Sequence, residues 1–292
     1  MFFSIIIPTF NRENLISRSI TSILNQSFSD FEIIIVDDGS IDNTKSVVES
    51  FNNDCIRYFT TENFGVAHAR NFGSKNAIGQ YIGFLDSDDI LKVNHLQCAY
   101  DFVLEKNRPA VIHLNFEWGL ADQSKFKANV LPLNLPFSIF NSCSLHVNCV
   151  FLRKDISNKF LFNESRDLMF AEDWDFFIKL SVGNTIQLKN ICSAYLIDHE
   201  ERSMRNFNEE IWVKRRNSLI ASLKGDELVS ENYYSKIHTV SAHMNSLIAL
   251  NLAIRKDKIK SLRYLFLSLK ENRNELFKKR TAAIFKYILI YW

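Results

Sequence analysis

Acidic side chains form two clusters in the N-terminal hundred residues. The first is Asp37-Asp38-Gly39-Ser40 and the second is Asp86-Ser87-Asp88-Asp89. Hard divalent cations such as Mg²⁺ and Mn²⁺ prefer oxygen ligands, and they bind through one or two carboxylates together with substrate phosphates. Asp, Ser and Gly also favour turns and helix N-caps, so a purely structural interpretation of both clusters stays open.

Three further residues could act on a phosphorylated substrate. Arg70 lies between Gly65 and Gly73, where a guanidinium could bind a diphosphate, although a solvated helical arginine is the alternative. Asp173 begins an aromatic-rich segment and could be a general base, although acids are common in a first helical turn. His199 could contact a metal or a phosphate, or lie unused in the surface or core. The chain has no Walker A or GxGxxG pattern, which argues against P-loop and nicotinamide-dependent proteins.

The elements that would position these residues alternate between strand and helix. Strands are predicted at 3–7, 32–36, 56–59 and 81–85, and helices at 13–26, 44–51, 65–77 and 94–105. This alternation predicts an α/β fold with a mainly parallel sheet covered on both faces. Ligands of such sheets bind beyond the carboxyl ends of the strands, where both acidic clusters fall together with Pro8, Phe10 and Arg12.

The rest of the chain is less regular and then becomes helical. We predict strands at 111–115 and 147–152, a loop at 121–129, a helix from about 170, and mostly helix beyond about 208. The predicted domains are a catalytic domain, 1–206, and a helical C-terminal region, 207–292. The nucleotide-binding half of the catalytic domain would cover about 1–105 and its acceptor half about 106–206.

Basic charge is concentrated at the C-terminal end. The whole chain carries 35 Lys and Arg against 33 Asp and Glu, a net charge of +2. Residues 253–292 contain 11 basic and 3 acidic residues, which leaves 24 basic and 30 acidic residues in the remainder. A basic amphipathic helix with aromatic residues indicates binding to an anionic membrane surface. A helix packed on the catalytic domain with a solvated basic face is the alternative.

Cysteine usage and the N-terminal residues point to a cytoplasmic protein. The five cysteines include no CxxC pair, which is typical of a reducing compartment and argues against a zinc or redox site. The N-terminal residues lack the features of a signal peptide, and no segment reaches the roughly 20 apolar residues of a membrane span. We therefore expect a cytoplasmic protein, peripheral on the inner face of the plasma membrane if the basic region 253–292 binds lipid.

A series of sequence blocks resembles glycosyltransferase family 2, the inverting enzymes of the GT-A fold. The blocks are Ser4–Arg12, Ser22–Phe28, Glu32–Ser40, Asn63–Gly73, Gly79–Asp89, and Phe162–Glu164 ahead of Glu172–Trp174. The match extends to about Ile178, weakens toward Ser203 and is absent beyond. The resemblance implies a Rossmann-like nucleotide-diphospho-sugar transferase fold with a helical C-terminal region.

The resemblance also implies a role for each matched residue. Pro8, Phe10, Arg12 and Asp38 would bind the nucleotide, with Asp38 accepting a hydrogen bond from uracil N3. Arg70 and Ser87 would complete the nucleotide site. Asp86 and Asp88 form the DxD element that would hold Mn²⁺ or Mg²⁺, with His199 near the metal or the diphosphate. Asp173 would be the catalytic base.

The activity implied by this resemblance is metal-dependent sugar transfer with inversion. The donor would be a UDP-sugar, and the acceptor a hydroxyl of a lipid-linked or cell-surface glycan such as O-antigen or capsule. A relative that binds nucleotide sugars without catalysis is one alternative, and acceptor-dependent sugar release would separate the two. A nucleic-acid-binding protein is another, but the chain shows no recognised module for it and the part before residue 253 is acidic. A sugar nucleotidyltransferase would need a glycine-rich, basic N-terminal loop, which this sequence lacks.

Overall fold

The computed structural model of the chain describes residues 1–120, 126–198 and 207–290. The chain forms two compact units. One comprises Met1–Leu133, Ser144–Arg166 and Gly183–Arg202, and the other Asn134–Cys143, Asp167–Val182 and Ser203–Trp292. The division into domains 1–206 and 207–292 stays a prediction. By their contacts, residues 134–143 and 167–182 group with the C-terminal helices rather than with the sheet. Trp174 Nε1 donates to the Ile139 carbonyl within that second unit, at 2.7 Å.

The first unit is built on one sheet. Its strands are β1 Phe3–Thr9, β2 Phe31–Asp37, β3 Ile56–Thr60, β4 Tyr81–Phe84, β5 Ile90–Leu91, β6 Val111–Leu120, β7 Lys127–Ala128, β8 Val150–Arg153 and β9 Ile186–Asp198. The strand order is β3-β2-β1-β4-β8-β6-β9-β5, with β7 paired to β6. Strands β3, β2, β1 and β4 are parallel, and β8 is antiparallel to β4. Every residue of β1 and β2 is buried, as expected for a sheet covered on both faces.

The helices of the first unit cover this sheet. They are α1 Ile16–Leu24, α2 Thr44–Glu49, α3 Val66–Asn76, α4 His95–Glu105 and α5 Lys154–Ser157. The buried side chains of α1 include Ile16, Ile20 and Ile23, which is the helical spacing seen in the sequence. Gly73 lets α3 approach β1 closely, because a Cβ there would lie 2.5 Å from Ile6 Cγ2.

Several predicted element boundaries differ from the structure, and strand β6 extends to Leu120 rather than ending at residue 115. Helix α1 begins at Ile16 rather than near residue 13, because Asn11 has a φ of 50° and the following amides bind the loop after β2. Strand β8 begins at Val150, because residues 147–149 form a 3-10 turn. Part of the predicted loop 121–129 is a strand, in which Lys127 and Ala128 pair with β6.

The second unit is helical, as predicted. Its helices are α6 Glu172–Gly183, α7 Glu209–Gly225, α8 Glu227–Ile254, α9 Lys258–Glu271 and α10 Lys279–Ile290. A small core joins α8, α9 and α10 through Ala249, Ala253, Leu265, Ile284 and Ile288. Among the described residues, no helix combines the length and the apolar character that a membrane span requires.

Candidate active site

The carboxyl ends of β1, β2 and β4 lie side by side in the first unit. Pro8 and Thr9 pair with Val36 and Asp37, and the Leu85 amide just after β4 donates to the Ile6 carbonyl. The segments that follow these three strands therefore leave the sheet at the same edge. The structure thus places Pro8, Phe10 and Asp38, which were predicted to bind the nucleotide, at the same sheet edge as Asp86 and Asp88.

Asp86 forms a partly buried ion pair with Arg70. Arg70 Nη2 donates to Asp86 Oδ1 at 2.8 Å, and the Arg70 side chain is only 3% exposed. The guanidinium also lies over the ring of Phe162, 5.1 Å from its centroid. Helix α3 therefore delivers a fixed cation that orients Asp86 and partly offsets its charge. The predicted contact of Arg70 with the nucleotide stays a prediction.

Asp89 anchors the acidic loop, residues 86–89, that follows β4. Its buried carboxylate accepts from the Ile197 amide at 2.8 Å and from Asn148 Nδ2 at 2.7 Å. The loop backbone is held from α1, where Arg18 bonds to the Asp88 carbonyl and Ser19 Oγ donates to the Asp89 carbonyl. Asp89 is therefore committed to structure, whereas Asp86 and Asp88 remain partly exposed.

His146 is a site residue that the sequence did not indicate. The potential ligand atoms of Asp86, Asp89 and His146 all lie within 4.8 Å of one another, and His146 Nε2 lies 4.0 Å from Asp86 Oδ2. Its Nδ1 accepts from the Asn148 amide at 3.3 Å, so in the neutral ring the proton is on Nε2. This hydrogen-bond assignment makes Nε2 a donor facing Asp86 rather than a metal ligand. Nothing in the irregular 107–165 segment singles out His146, because the contact depends on the fold.

Two buried histidines lie deeper in the first unit. His113 Nε2 accepts from the His146 amide at 3.0 Å, and His95 Nδ1 lies 2.8 Å from Ser193 Oγ. Burial lowers the pKa of His95 and of His113 to about 3. Both rings are therefore neutral at physiological pH.

Asp38 lies at the end of β2 and is already well bonded. Its carboxylate accepts from Thr61 Oγ1 and the Phe64 amide at 2.8 Å and from the Gly65 amide at 2.6 Å. An ionised carboxylate has about four acceptor positions, so roughly one is left for a ligand N–H. Next to it, Thr9 Oγ1 is buried and has no hydrogen-bond partner among the described residues. Thr9 is thus a second residue that the prediction missed.

The other residues predicted for the nucleotide site differ in how exposed their side chains are. Phe10 is 39% exposed, whereas Pro8 and Ser87 are buried. Arg12 is half-buried, and its amide donates to Thr44 Oγ1 at 2.9 Å. His199, the predicted metal or phosphate contact, lies outside the described residues.

The first turn of α6, in the second unit, contains three acids. Glu172 and Asp175 are buried, at 6% and 0% exposure, whereas Asp173 is partly exposed. Burial raises the pKa of Asp175, and the Lys179 ammonium, which lies 2.8 Å from Asp175 Oδ2, only partly opposes this effect. Asp173 is therefore the acid of this turn with the best access to an external proton.

The donor set at the sheet edge fits a hard divalent cation. Asp86 and Asp88 present partly exposed carboxylates beyond β4, and Arg70 orients the first of them. Oxygen ligands in this number suit Mg²⁺ or Mn²⁺ bound together with substrate phosphates. Asp86 and Asp88 stay the predicted ligands of such an ion, and the ligand atoms that lie within 4.8 Å of one another are those of Asp86, Asp89 and His146.

Fold and sequence comparisons agree on the class of this protein. The crystal structure of Staphylococcus aureus TarS 1–349 in complex with UDP-GlcNAc matches with a TM-score of 0.64 at 20% identity, over 94% of this chain and 92% of that one. This likeness confirms the predicted GT-A fold. The profile for glycosyl transferase family 2 matches residues 4–144. The chain belongs to glycosyltransferase family 2 and is a glycosyltransferase.

Two curated relatives are similar over much of the chain. Escherichia coli WfgD, a UDP-Glc:alpha-D-GlcNAc-diphosphoundecaprenol beta-1,3-glucosyltransferase, is 33% identical over 211 residues, 70% of this chain and 81% of WfgD. The Bacillus subtilis minor teichoic acid biosynthesis protein GgaA is 35% identical over 193 residues, 61% of this chain and 43% of GgaA. WfgD is named for a sugar acceptor linked to diphosphoundecaprenol, and GgaA is named for minor teichoic acid biosynthesis.

Proposed function

We propose that this chain is a metal-dependent inverting glycosyltransferase that moves a sugar from a UDP-sugar to a hydroxyl of a lipid-linked or cell-surface glycan. The observation that carries the proposal is the Arg70–Asp86 pair, 2.8 Å apart at the edge where β1, β2 and β4 end. The names of the relatives support it, since TarS was crystallised with UDP-GlcNAc and WfgD is named for a UDP-Glc donor and a diphosphoundecaprenol acceptor.

The first unit supplies the donor side of the proposed reaction. Thr9 and Asp38 offer a buried hydroxyl and one remaining carboxylate acceptor position for the nucleoside, and Phe10 offers an exposed ring. Asp86 and Asp88 would hold Mn²⁺ or Mg²⁺, which when bound offsets the negative charge of the diphosphate. Arg70 keeps Asp86 in position, and the Nε2–H of His146 adds a donor directed at the same carboxylate. Charge arranged before the reaction in this way is often the largest contribution to catalysis.

Asp173 is the proposed base. Asp173 takes the proton of the acceptor hydroxyl while the acceptor oxygen forms its bond to the anomeric carbon and the bond from that carbon to the diphosphate breaks. UDP leaves with the bonding electron pair, and a single displacement inverts the anomeric configuration. Glu172 and Asp175 are too buried for the role.

The acceptor class is proposed from the relatives and from the C-terminal charge. WfgD acts on a diphosphoundecaprenol-linked sugar, and GgaA belongs to teichoic acid synthesis. A basic C-terminal region, 253–292, would keep an enzyme close to a lipid-linked acceptor at an anionic membrane.

A panel of UDP-sugars tests the proposal. UDP release would be measured with and without Mn²⁺, and with and without a lipid-diphosphate sugar acceptor. We expect Asp173→Asn to keep UDP binding and to lose roughly 10²–10⁴-fold in turnover, the usual contribution of a positioned base. Asp88→Ala should instead weaken Mn²⁺-dependent UDP binding.

Asp54→Asn is the matched control, because Asp54 is an exposed acid of the same unit as Asp88, outside the site. It should behave as wild type in both assays. Wild-type turnover of Asp173→Asn with the true acceptor would refute the base assignment. UDP-sugars that release no UDP with any acceptor would refute the donor class.

A further inference from the structure

Helix α9 has an inner face that is packed within the second unit. Ser261, Leu265 and Ser268 are buried on this face. Ser261 Oγ donates to the Ala249 carbonyl at 2.8 Å, and Ser268 Oγ donates to the Ala242 carbonyl at 2.7 Å. These short side chains let α9 lie directly on α8, which establishes which face of α9 points outward.

The outer face of α9 carries an exposed apolar row. Ile259, Leu262 and Phe266 are 85%, 45% and 67% exposed. Their spacing of three and four residues places them on one side of the helix, and we call them the outer stripe. Single exposed apolar residues are ordinary, but a contiguous row on one helix indicates an interaction surface.

The outer stripe is surrounded by basic side chains. Residues 255–273 contain seven basic residues, Arg255, Lys256, Lys258, Lys260, Arg263, Lys270 and Arg273, against two acids. Both acids have structural partners, since Asp257 Oδ1 accepts from the Lys260 amide and Glu271 accepts from Ser241 Oγ and Asn245 Nδ2. Lys260 pairs with Glu209 at 2.7 Å, whereas Arg263 and Lys270 are exposed on α9 itself.

We infer that the outer stripe of α9 binds an anionic lipid surface. Its three apolar side chains would insert at the boundary between headgroups and acyl chains, while the surrounding Lys and Arg contact anionic headgroups. A second copy of the chain fits less well, because a symmetric contact would bring two basic surfaces together. Arg280 and Lys278 are not counted in this surface, because Arg280 donates to Ser246 Oγ and Lys278 donates to the Asn141 carbonyl within the unit.

Flotation of the full chain with vesicles tests this inference. We expect binding to phosphatidylglycerol-containing vesicles and little binding to pure phosphatidylcholine. Replacing Ile259, Leu262 and Phe266 together by Ser should lower the partition coefficient at least tenfold. Replacing Arg263 and Lys270 by Gln should lower it about fivefold for each lost charge and reduce its dependence on salt.

The matched control replaces Ile78, Val93 and Leu104 by Ser, since these are 66%, 60% and 46% exposed in the first unit. It should float like the wild type. Equal flotation of the stripe variant and the wild type would refute the inference. Loss of a dimer in the stripe variant, seen by light scattering without any change in flotation, would also refute it and would assign the stripe to contact between copies.

The inference rests on the membrane contact of the proposed function and assigns it to the outer stripe of α9. Vesicle binding needs no sugar nucleotide, so the inference can fail independently of the transfer reaction. UDP release with a detergent-solubilised acceptor should be unchanged in the stripe variant. A loss of that release would show that the substitutions damaged the fold, and substitution of Phe266 alone by Ser would then give the decisive flotation result.

Discussion

At the scale of single residues, the site depends on how Asp86 is held from both sides. Arg70 Nη2 occupies one carboxylate oxygen at 2.8 Å, and His146 Nε2 lies 4.0 Å from the other. Asn148 connects Asp86 with His146, because its Oδ1 accepts from the Asp86 amide and its own amide donates to His146 Nδ1. His146 therefore has two separable roles, one in capping the 147–149 turn and one in facing Asp86.

Two substitutions separate these roles of His146. His146→Asn keeps an acceptor near the Asn148 amide but lacks an atom at the Nε2 position. His146→Gln restores a hydrogen-bond donor near the Nε2 position, because its side chain is longer than that of Asn. We expect His146→Asn to lose about 10–100-fold in Mn²⁺-dependent UDP affinity with little change in melting temperature, as for partners that orient a metal ligand. His146→Gln should recover part of the affinity. Calorimetric UDP titrations that give wild-type affinity for His146→Asn would contradict this role.

At the scale of elements, the approach of α3 to β1 positions Arg70. Gly73 is what permits this approach, since an added Cβ would lie 2.5 Å from Ile6 Cγ2 and 3.1 Å from Ile6 Cγ1. Ile6 is completely buried and has little room to move. The position of the Arg70 guanidinium therefore depends on a residue three positions away that does no chemistry.

Gly73→Ala should destabilise the protein by about 1–3 kcal/mol, the usual cost of overpacking a core. Gly225→Ala is the matched control, because Gly225 ends α7 and has nothing within 4 Å of an added Cβ. It should be neutral or slightly stabilising, by up to about 1 kcal/mol. Urea unfolding monitored by circular dichroism measures both changes, and equal midpoints for the two variants would contradict the packing argument.

At the scale of the whole molecule, charge is separated along the chain and three buried histidines are kept neutral. The +2 total combines a surplus of six acids before residue 253 with a surplus of eight basic residues after it. Burial lowers the pKa of His95 and of His113 to about 3 and that of His243 well below its usual value. The unfolded chain takes up these protons near pH 6.5, and the folded chain does so only at much lower pH.

Stability should therefore fall as the pH is lowered from about 6.5 toward 3. Each such histidine contributes a slope of up to about 1.4 kcal/mol per pH unit, because the unfolded state binds one proton more than the native state in this window. His95→Gln should reduce that slope by up to about 1.4 kcal/mol per pH unit, the contribution of one histidine. His238→Gln, at an exposed histidine of α8, is the matched control substitution. Unfolding free energies measured between pH 4 and 7 would contradict the prediction if both variants kept the wild-type slope.

The sequence by itself determined the fold class and most of the donor side. Apolar runs and helical periodicity are local signals, so they predicted β1, β2, β4 and α3 within a few residues. Because parallel strands end at one edge, the same signals predicted that Asp38 and Asp86 would lie at a common site. The resemblance to glycosyltransferase family 2 rested on these same segments.

Only the tertiary structure decided which side chains hold that site together. Asp89 bonds to the Ile197 amide 108 positions away, and Asp86 bonds to Asn148 62 positions away. Contacts over such separations leave no periodic signal in the sequence, so His146 and the fastening role of Asp89 were not predicted. The exposure of the outer stripe of α9 was also decided by the tertiary structure. The exposed residues 259, 262 and 266 and the buried residues 261, 265 and 268 have similar spacing along α9. Only the packing of α9 on α8 determined which of the two faces is exposed.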